Sequence, residues 1–333
     1  MKVVGYLESH EISNENSLIE SEMSIPAPGP NDILVKVKAV SVNPVDTKVR
    51  KNTKPNPGET KILGWDASGV VEKIGSKVDL FKVGDEVFYA GSLTRPGTNS
   101  EYHLVDERIA AKKPTSLSFE EAAALPLTSI TAWEALFDRL KVLVNEKDPL
   151  LIIGGAGGVG SIAIQLAKRL THLKIIATAS RGASQEWCKK LGADIVIDHS
   201  KDMHEQLRAH GLDNVRYVLS LTQTGAHKEF IEKIIAPQGD LCLIDDPGPF
   251  DISGFKRKSV AIHWEFMFTR SMFETHDMIK QHELLTKVAD LVDARQLKTT
   301  INHVFEGLTA ANFKKAHEML ESGKTIGKIV IKY

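Results

Sequence analysis

The sequence predicts an α/β chain in which a doubly wound parallel sheet is joined to a mostly antiparallel, barrel-like β domain. Three observations carry that prediction. A glycine loop, Gly154-Gly155-Ala156-Gly157-Gly158-Val159-Gly160, lies between an apolar run at 150–153 and a helix-patterned run at 162–167. From about Glu120 onward helix and strand patterns alternate, the rhythm of a parallel sheet covered on both faces. Before that point the segments are short, alternate polar with apolar, and are separated by turn-rich stretches such as Pro26-Ala27-Pro28-Gly29-Pro30.

In chain order, the first domain has strand patterns at 33–40, 69–74 and 85–89. Strands of the parallel sheet are expected at 150–153, 175–179, 195–197, 217–221 and 241–244, with helices around Ala163, Trp187, Leu207 and Ile231. A strand-like run at 260–268 follows, then a helix at 278–292, a strand at 300–305, a helix at 310–320 and a last strand at 328–332. Those final elements are free to rejoin the first domain. The 260–268 run is rich in β-branched and aromatic residues, so at a sheet edge it would template pairing with a second subunit; the alternative is a central strand covered by its own helices.

At 333 residues two domains are the default, because a single core stops growing near that length. With 42 basic and 43 acidic side chains, no overall field favours nucleic acid or an anionic membrane. No run approaches the ~18 apolar residues of a membrane span, and the N-terminus lacks an apolar signal region. The two cysteines, Cys188 and Cys242, exclude a disulfide framework and read as small buried hydrophobes. A cytoplasmic protein is expected.

The glycine loop carries the chemistry. A buried strand that turns at once into a helix with a pyrophosphate against its backbone needs residues without Cβ at three places, and Gly155, Gly157 and Gly160 supply them in the G-x-G-x-x-G spacing. The anion then rests on free N–H groups at the helix start. Val159, Ala163, Leu166, Ala167 and Leu170 form one apolar stripe after the loop, which is the helical context the motif requires. The implied ligand is a dinucleotide.

At the end of the second strand of this sheet, users of NAD place a carboxylate for the ribose hydroxyls. Here Ser180-Arg181 stand instead. A hydroxyl and a guanidinium hydrogen-bond and neutralise a 2′-phosphate, so NADPH is the expected cofactor; the competing reading is two ordinary solvated loop residues.

Six ordered blocks add a family resemblance: Asn43-Pro44-Val45-Asp46 with Arg50; Gly64-Trp65-Asp66-Ala67-Ser68-Gly69-Val70-Val71; Val83-Gly84-Asp85-Glu86-Val87; Leu125 to Trp133; the glycine loop with Gln165 and Lys168; and Gly323 to Lys328. On these the chain resembles a medium-chain dehydrogenase/reductase, in the branch of quinone oxidoreductases, zeta-crystallin-like and zinc-type alcohol dehydrogenase-like proteins. The resemblance implies a GroES-like (chaperonin-10-like) barrel as catalytic domain, residues 1–121 and 273–333, and a Rossmann NADP-binding domain, residues 122–272, with the nicotinamide in the cleft between them. It implies cofactor contacts from Asn43, Thr131, Gly155, Gly157, Gly158, Val159, Gly160, Ser180, Arg181, His199, Leu221 and Lys328, and a homodimer formed through the 260–268 run.

The chain departs from the zinc-dependent members of that family. Where they carry metal ligands, this sequence has Asn43, Trp65 and Leu127, and the stretch after Tyr89 lacks the closely spaced cysteines of a structural zinc site. The twelve histidines show no ligand spacing either, so no metal is expected. Reduction of a carbonyl or enone then relies on preorganised hydrogen bonds. Asn43 is the leading donor, with an Asx turn before Pro44 as the alternative role. Tyr89 is a second donor or else a core tyrosine; Trp65 is a flat wall for a quinone or else a core residue. Asp46 and Asp66 read as caps for backbone N–H groups.

The expected function is therefore NADPH-dependent, zinc-independent hydride transfer to a small quinone or α,β-unsaturated carbonyl. The alternatives are a non-catalytic NADPH-binding sensor or structural protein, and a zinc-type alcohol dehydrogenase.

Overall fold

β-Branched and apolar runs form the strands, and glycine or proline punctuates them. In the computed structural model, which describes residues 1–333, the chain opens with β1 (Lys2–Tyr6), β2 (Ile19–Glu22), β3 (Asp32–Val42), α1 (Pro44–Asn52), β4 (Lys61–Ile62) and β5 (Asp66–Ile74). It continues through β6 (Glu86–Ala90), β7 (Tyr102–Asp106), β8 (Ala110–Lys112), α2 (Phe119–Ala123) and α3 (Pro126–Trp133). Next come β9 (Pro149–Ile153), α4 (Gly158–Leu170), β10 (Lys174–Thr178), α5 (Gly182–Leu191), β11 (Ile195–Ile197), α6 (Met203–Ala209), β12 (Val215–Ser220), α7 (Thr224–Ile234), β13 (Ile235–Leu243) and β14 (Ala261–Trp264). The chain ends with α8 (Thr269–Met272), α9 (Lys280–Asp293), β15 (Ile301–Glu306), α10 (Ala310–Glu321) and β16 (Lys328–Lys332).

These elements build two units. The first comprises Met1–Ile130 and Phe268–Tyr333, the second Thr131–Met267. In the first, a seven-stranded sheet runs β15-β16-β3-β5-β6-β8 with β7 also paired to β3, and a three-stranded sheet runs β2-β1-β4. All its pairings are antiparallel except β15 with β16. The last strand thus returns to the first domain, because Ile329, Val330 and Ile331 complete the buried face beside β3.

The second unit is a six-stranded parallel sheet in the order β11-β10-β9-β12-β13-β14, a doubly wound arrangement with its switch point beside β9. Its centre is Leu151, Ile153, Ile176, Val218, Leu241 and Leu243, packed against Leu207, Ile231 and Ile234 from the covering helices. Cys188 and Cys242 are buried free thiols. No helix is long and apolar enough to cross a membrane.

Two boundaries differ from expectation. The units divide at 130/131 and 267/268 rather than at 121/122 and 272/273. Helix α2 belongs to the barrel because Ala123 and Ala124 pack with Ala39 and Val330, and Ser68 Oγ donates to the Phe119 carbonyl at 2.6 Å. Phe268 belongs there because its ring meets Trp65 edge-on, centroids 6.2 Å apart. The 260–268 run forms a strand only over Ala261–Trp264. Its partner β13 ends at Leu243, whose carbonyl accepts the Glu265 N–H at 3.0 Å. This strand lies at the sheet edge.

Candidate functional site

In the second unit the predicted residues gather on one edge of the sheet, the carboxyl ends of its strands. The glycine loop follows β9, Ser180 and Arg181 follow β10, His199 follows β11 and Leu221 follows β12. Each glycine has a separable reason. Gly154 sits at φ +87°, and the N–H groups of Gly154 and Gly155 donate to Thr178 Oγ1 (3.0 Å) and to the Thr178 carbonyl (3.1 Å), which ties the turn to β10. A Cβ on Gly155 would lie 2.7 Å from Ala177 Cβ and 3.1 Å from Cys188 Sγ, and one on Gly160 2.5 Å from the Gly154 carbonyl oxygen. Both positions are closed by the protein itself.

Gly157 is different. A Cβ there would meet only the Gly154 carbonyl oxygen, at 3.6 Å, so the space it faces is open. Gly157 is the N-cap of α4, and the first N–H to bond within the helix is that of Ser161, to the Gly157 carbonyl at 2.9 Å. The N–H groups of Gly158, Val159 and Gly160 are therefore left at the helix start, next to that open space. This is the geometry of an anion cradle, and a pyrophosphate fits it.

Arg181 caps α5 through its backbone: its N–H donates to Ser184 Oγ (3.2 Å) and its carbonyl accepts from the same hydroxyl (2.8 Å). That leaves the exposed guanidinium uncommitted to the cap. His199 is exposed beside Asp198, whose carboxylate is held below its usual range by the Ser200 hydroxyl and N–H before His199 adds its smaller effect. Leu221 donates its N–H to the Ile153 carbonyl at 3.1 Å, joining β12 to the strand that feeds the glycine loop. Thr131 lies in α3, buried.

In the first unit four predicted residues part company. Asn43 and Lys328 meet; Trp65 and Tyr89 do not join them. Lys328, on β16 and nearly fully buried, donates from Nζ to the Val42 carbonyl (3.2 Å), to Asp66 Oδ2 (3.0 Å) and to Asn43 Oδ1. Asn43 Nδ2 donates in turn to Asp66 Oδ2 at 2.9 Å and to the Ser41 carbonyl at 3.2 Å. Asn43 is the N-cap of α1, and both hydrogens of its amide are committed inside the barrel. Direct donation to a substrate, expected of Asn43, is not available in this arrangement, because the buried ammonium and carboxylate on either side hold the amide.

Asp66 is the hub that sequence reasoning placed among the caps. It does cap: Oδ1 accepts the Leu127 N–H at 2.7 Å as α3 begins. Its other oxygen takes Asn43 and Lys328, contributions from residues far apart in sequence. The Gly64-Trp65-Asp66 block was the available signal for Asp66 and the Gly323 to Lys328 block for Lys328, but neither says that the two meet. Asp46 behaves as expected, accepting the Asn43 N–H on Oδ2 at 2.7 Å. Burial pushes its carboxyl up to about 7, with the Asn43 N–H opposing that and Asp66 adding to it.

Trp65 and Tyr89 are core residues, neither exposed at all. Trp65 Nε1 donates to the Ser92 carbonyl at 3.0 Å, so the indole is walled in rather than forming a wall for a ligand. The Tyr89 hydroxyl lies 3.1 Å from His103 Nδ1, and His103 Nε2 lies 3.0 Å from the Pro96 carbonyl. A carbonyl only accepts, so Nε2 carries the proton, Nδ1 accepts, and Tyr89 donates to it. Burial lowers His103 to about 4 and raises the Tyr89 phenol far above its usual range, so both stay neutral. The Tyr89 hydroxyl is spent on this pair.

Asn43, Trp65 and Leu127 are here an amide bound to an ammonium, a buried indole and a leucine. No group of three or more His, Cys, Asp or Glu side chains is arranged to hold a metal ion.

Comparison with known proteins agrees with the fold and adds the family. The model of the alcohol dehydrogenase GroES-like domain matches residues 29–115, and that of zinc-binding dehydrogenases matches residues 191–331. A zinc-type alcohol dehydrogenase-like protein of Staphylococcus epidermidis is 41% identical over 336 residues, covering 99% of each chain. Among solved structures, a Rhizobium etli protein assigned as a zinc-dependent alcohol dehydrogenase superposes with a TM-score of 0.97 at 55% identity, over 100% of this chain and 98% of that one. The Escherichia coli quinone oxidoreductase in complex with NADPH superposes with a TM-score of 0.85 at 27% identity, over the whole of both chains. The chain belongs to the medium-chain dehydrogenase/reductase family.

Proposed function

We propose that this protein is an NADPH-dependent, zinc-independent oxidoreductase that delivers hydride to a quinone or α,β-unsaturated carbonyl. The observation that carries the reading is the open space at Gly157 beside three free N–H groups, on the strand edge where Ser180, Arg181 and His199 also lie. When bound, the nicotinamide supplies the hydride. Gly158, Val159 and Gly160 would hold the pyrophosphate, Ser180, Arg181 and His199 the 2′-phosphate, and Thr131 and Leu221 the nicotinamide half. The NADPH complex of the E. coli quinone oxidoreductase supports the choice of cofactor and of acceptor class.

Zinc independence rests on Lys328. Its ammonium, on Asn43 and Asp66, leaves Asn43 Oδ1, at one of the positions the resemblance reads for metal, bound to a cation already. Lys328 would thus bind no cofactor directly; it orients Asn43 and neutralises Asp66. The test is purified protein with NADPH and a panel of quinones and enones, following loss of reduced-nucleotide absorbance. No loss with any acceptor sinks the enzyme reading, and stoichiometric zinc by elemental analysis sinks the metal-free one.

A second reading, an NADPH-binding sensor without turnover, is favoured by one observation: Asn43, Lys328 and Tyr89 all spend their donors inside the barrel. It predicts tight NADPH binding with no oxidation. In either case a homodimer is proposed through β14, where Trp264 is 57% and Phe266 46% exposed at an unpaired sheet edge. Sedimentation of a monomer at micromolar concentration would refute it.

A further inference from the structure

A second cluster of buried charge lies in the nucleotide unit and has no part in the function proposed above. Glu134 and Arg139 stand on a π-helical turn, Glu134–Arg139, in which the Leu140 N–H reaches the Ala135 carbonyl five residues back. That spacing brings Arg139 under Glu134, with Nη2 3.9 Å from Glu134 Oε2, while Arg139 Nε donates to Glu265 Oε2 at 2.8 Å. Both glutamates are almost completely buried. Two enclosed carboxylates thus face one guanidinium.

The count of donors implies a proton. Glu265 Oε1 is buried and has no hydrogen-bond donor, yet the Glu134 carboxyl is within hydrogen-bonding reach of Glu265. A proton shared by the two carboxyls satisfies that oxygen and removes a like-charge repulsion that burial would otherwise magnify. Burial first, and Glu134 second, push the Glu265 carboxyl well above its usual range. The other titratable group against the pair is the Cys242 thiol on β13, which burial and Glu265 keep neutral. Further back in the sheet, Arg216 on β12, Asp240 on β13 and His263 on β14 form a separate network.

Position gives the pair a role. Glu265 follows β14, on the same strand edge as the glycine loop. The groups read for the 2′-phosphate follow β10 and β11, on one side of β9, so on that reading the other half of a dinucleotide would run toward β12, β13 and β14. The pair lies at that end.

We propose that Glu134 and Glu265, clamped by Arg139, form a one-proton sensor of nicotinamide charge: they keep a shared proton opposite the neutral reduced ring and release it to solvent past Arg139 when the ring is cationic. The proposal rests on the dinucleotide reading above. A bound nucleotide that had given up its hydride would carry a positive ring, and the pair would balance that charge by losing one proton. By linkage, NADP⁺ binds more tightly as the pair ionises and NADPH more weakly.

The test is a calorimetric titration of the intact protein with each nucleotide from pH 7 to pH 10, in buffers of different ionisation enthalpy so that protons are counted. The ratio of NADP⁺ to NADPH affinity is expected to rise about tenfold over that range, one pKa unit of coupling, and to stay flat in Glu265→Gln. NADP⁺ binding should release protons that NADPH binding does not. Infrared spectra of the nucleotide-free protein should show a protonated-carboxyl band at neutral pH that Glu265→Gln removes; Glu134→Gln serves the same purpose if the first variant does not fold. Equal proton counts for the two nucleotides, a ratio that still climbs in both variants, or absence of the band overturns the proposal. If neither nucleotide binds, the dinucleotide reading falls and the sensor with it, whereas a missing band with normal binding removes the sensor alone.

Discussion

The glycine loop of the nucleotide unit and the Asn43–Asp66–Lys328 cluster of the barrel unit are both polar constructions, but they are built on different scales of sequence. The loop is seven consecutive residues whose backbone does the work; the cluster joins positions 43, 66 and 328 through side chains. A local motif tolerates errors in the rest of the fold and shows itself in the sequence. A long-range cluster exists only once β16 has come back to lie against β3.

The largest expected effect breaks the cluster. Lys328→Met leaves the Asp66 carboxylate buried without its cation, which should cost about 3–5 kcal/mol in urea unfolding. The double variant with Asp66→Asn should recover a large part of it, and a single variant that unfolds at the wild-type midpoint would show the pair to be energetically idle.

Next in size is the other through-space pair of the barrel. His103 is held neutral, near 4 against about 6.5 when unfolded, so the unfolded chain binds the proton first as pH falls. The stability this group protects is complete above about pH 6.5 and is lost progressively down to pH 4, by about 3 kcal/mol in all, and His103→Asn should flatten that slope in pH-dependent melting.

Within the loop, two alanine substitutions sharpen the contrast. Gly160→Ala drives a Cβ to 2.5 Å from a backbone oxygen and 2.7 Å from Gly155 Cα, neither of which yields easily, so about 1–3 kcal/mol of stability should go. Arg181→Glu should leave stability alone and weaken NADPH relative to NADH by about tenfold, since it replaces a donor to phosphate with a like charge. Gly157→Ala, whose Cβ enters open space, should change stability by less than about 0.5 kcal/mol yet still weaken NADPH binding. Equal destabilisation by Gly157→Ala and Gly160→Ala in the same melting experiment would erase the distinction between a ligand-facing and a packing glycine.

Much of the fold was legible in the residues. The apolar runs at 150–153 and 217–221 mark central strands because a strand buried on both faces has no polar alternation, and the stripe from Val159 to Leu170 marks α4. The short helix α1 and the edge strand β2 were not, since their polar, half-exposed residues carry little periodicity. Of the site, Gly155, Gly157 and Gly160 were readable as a set, and the structure gave each its separate reason. Asn43 was found for the wrong partner, Trp65 and Tyr89 were indistinguishable from core, and Asp66 looked like a cap because one of its two oxygens is one.

The sequence by itself determined where the backbone must turn without Cβ atoms, which strand must be buried, and that Ser180 and Arg181 replace an acid after β10. Those properties belong to neighbours in the chain, whose conformations follow from local sterics and periodicity. Only the tertiary structure decided which side chains share a proton or a charge: Lys328 with Asp66, Tyr89 with His103, Glu134 with Glu265. Such pairings depend on how strands distant in sequence align and on the exclusion of water, and neither is written into any short stretch of residues.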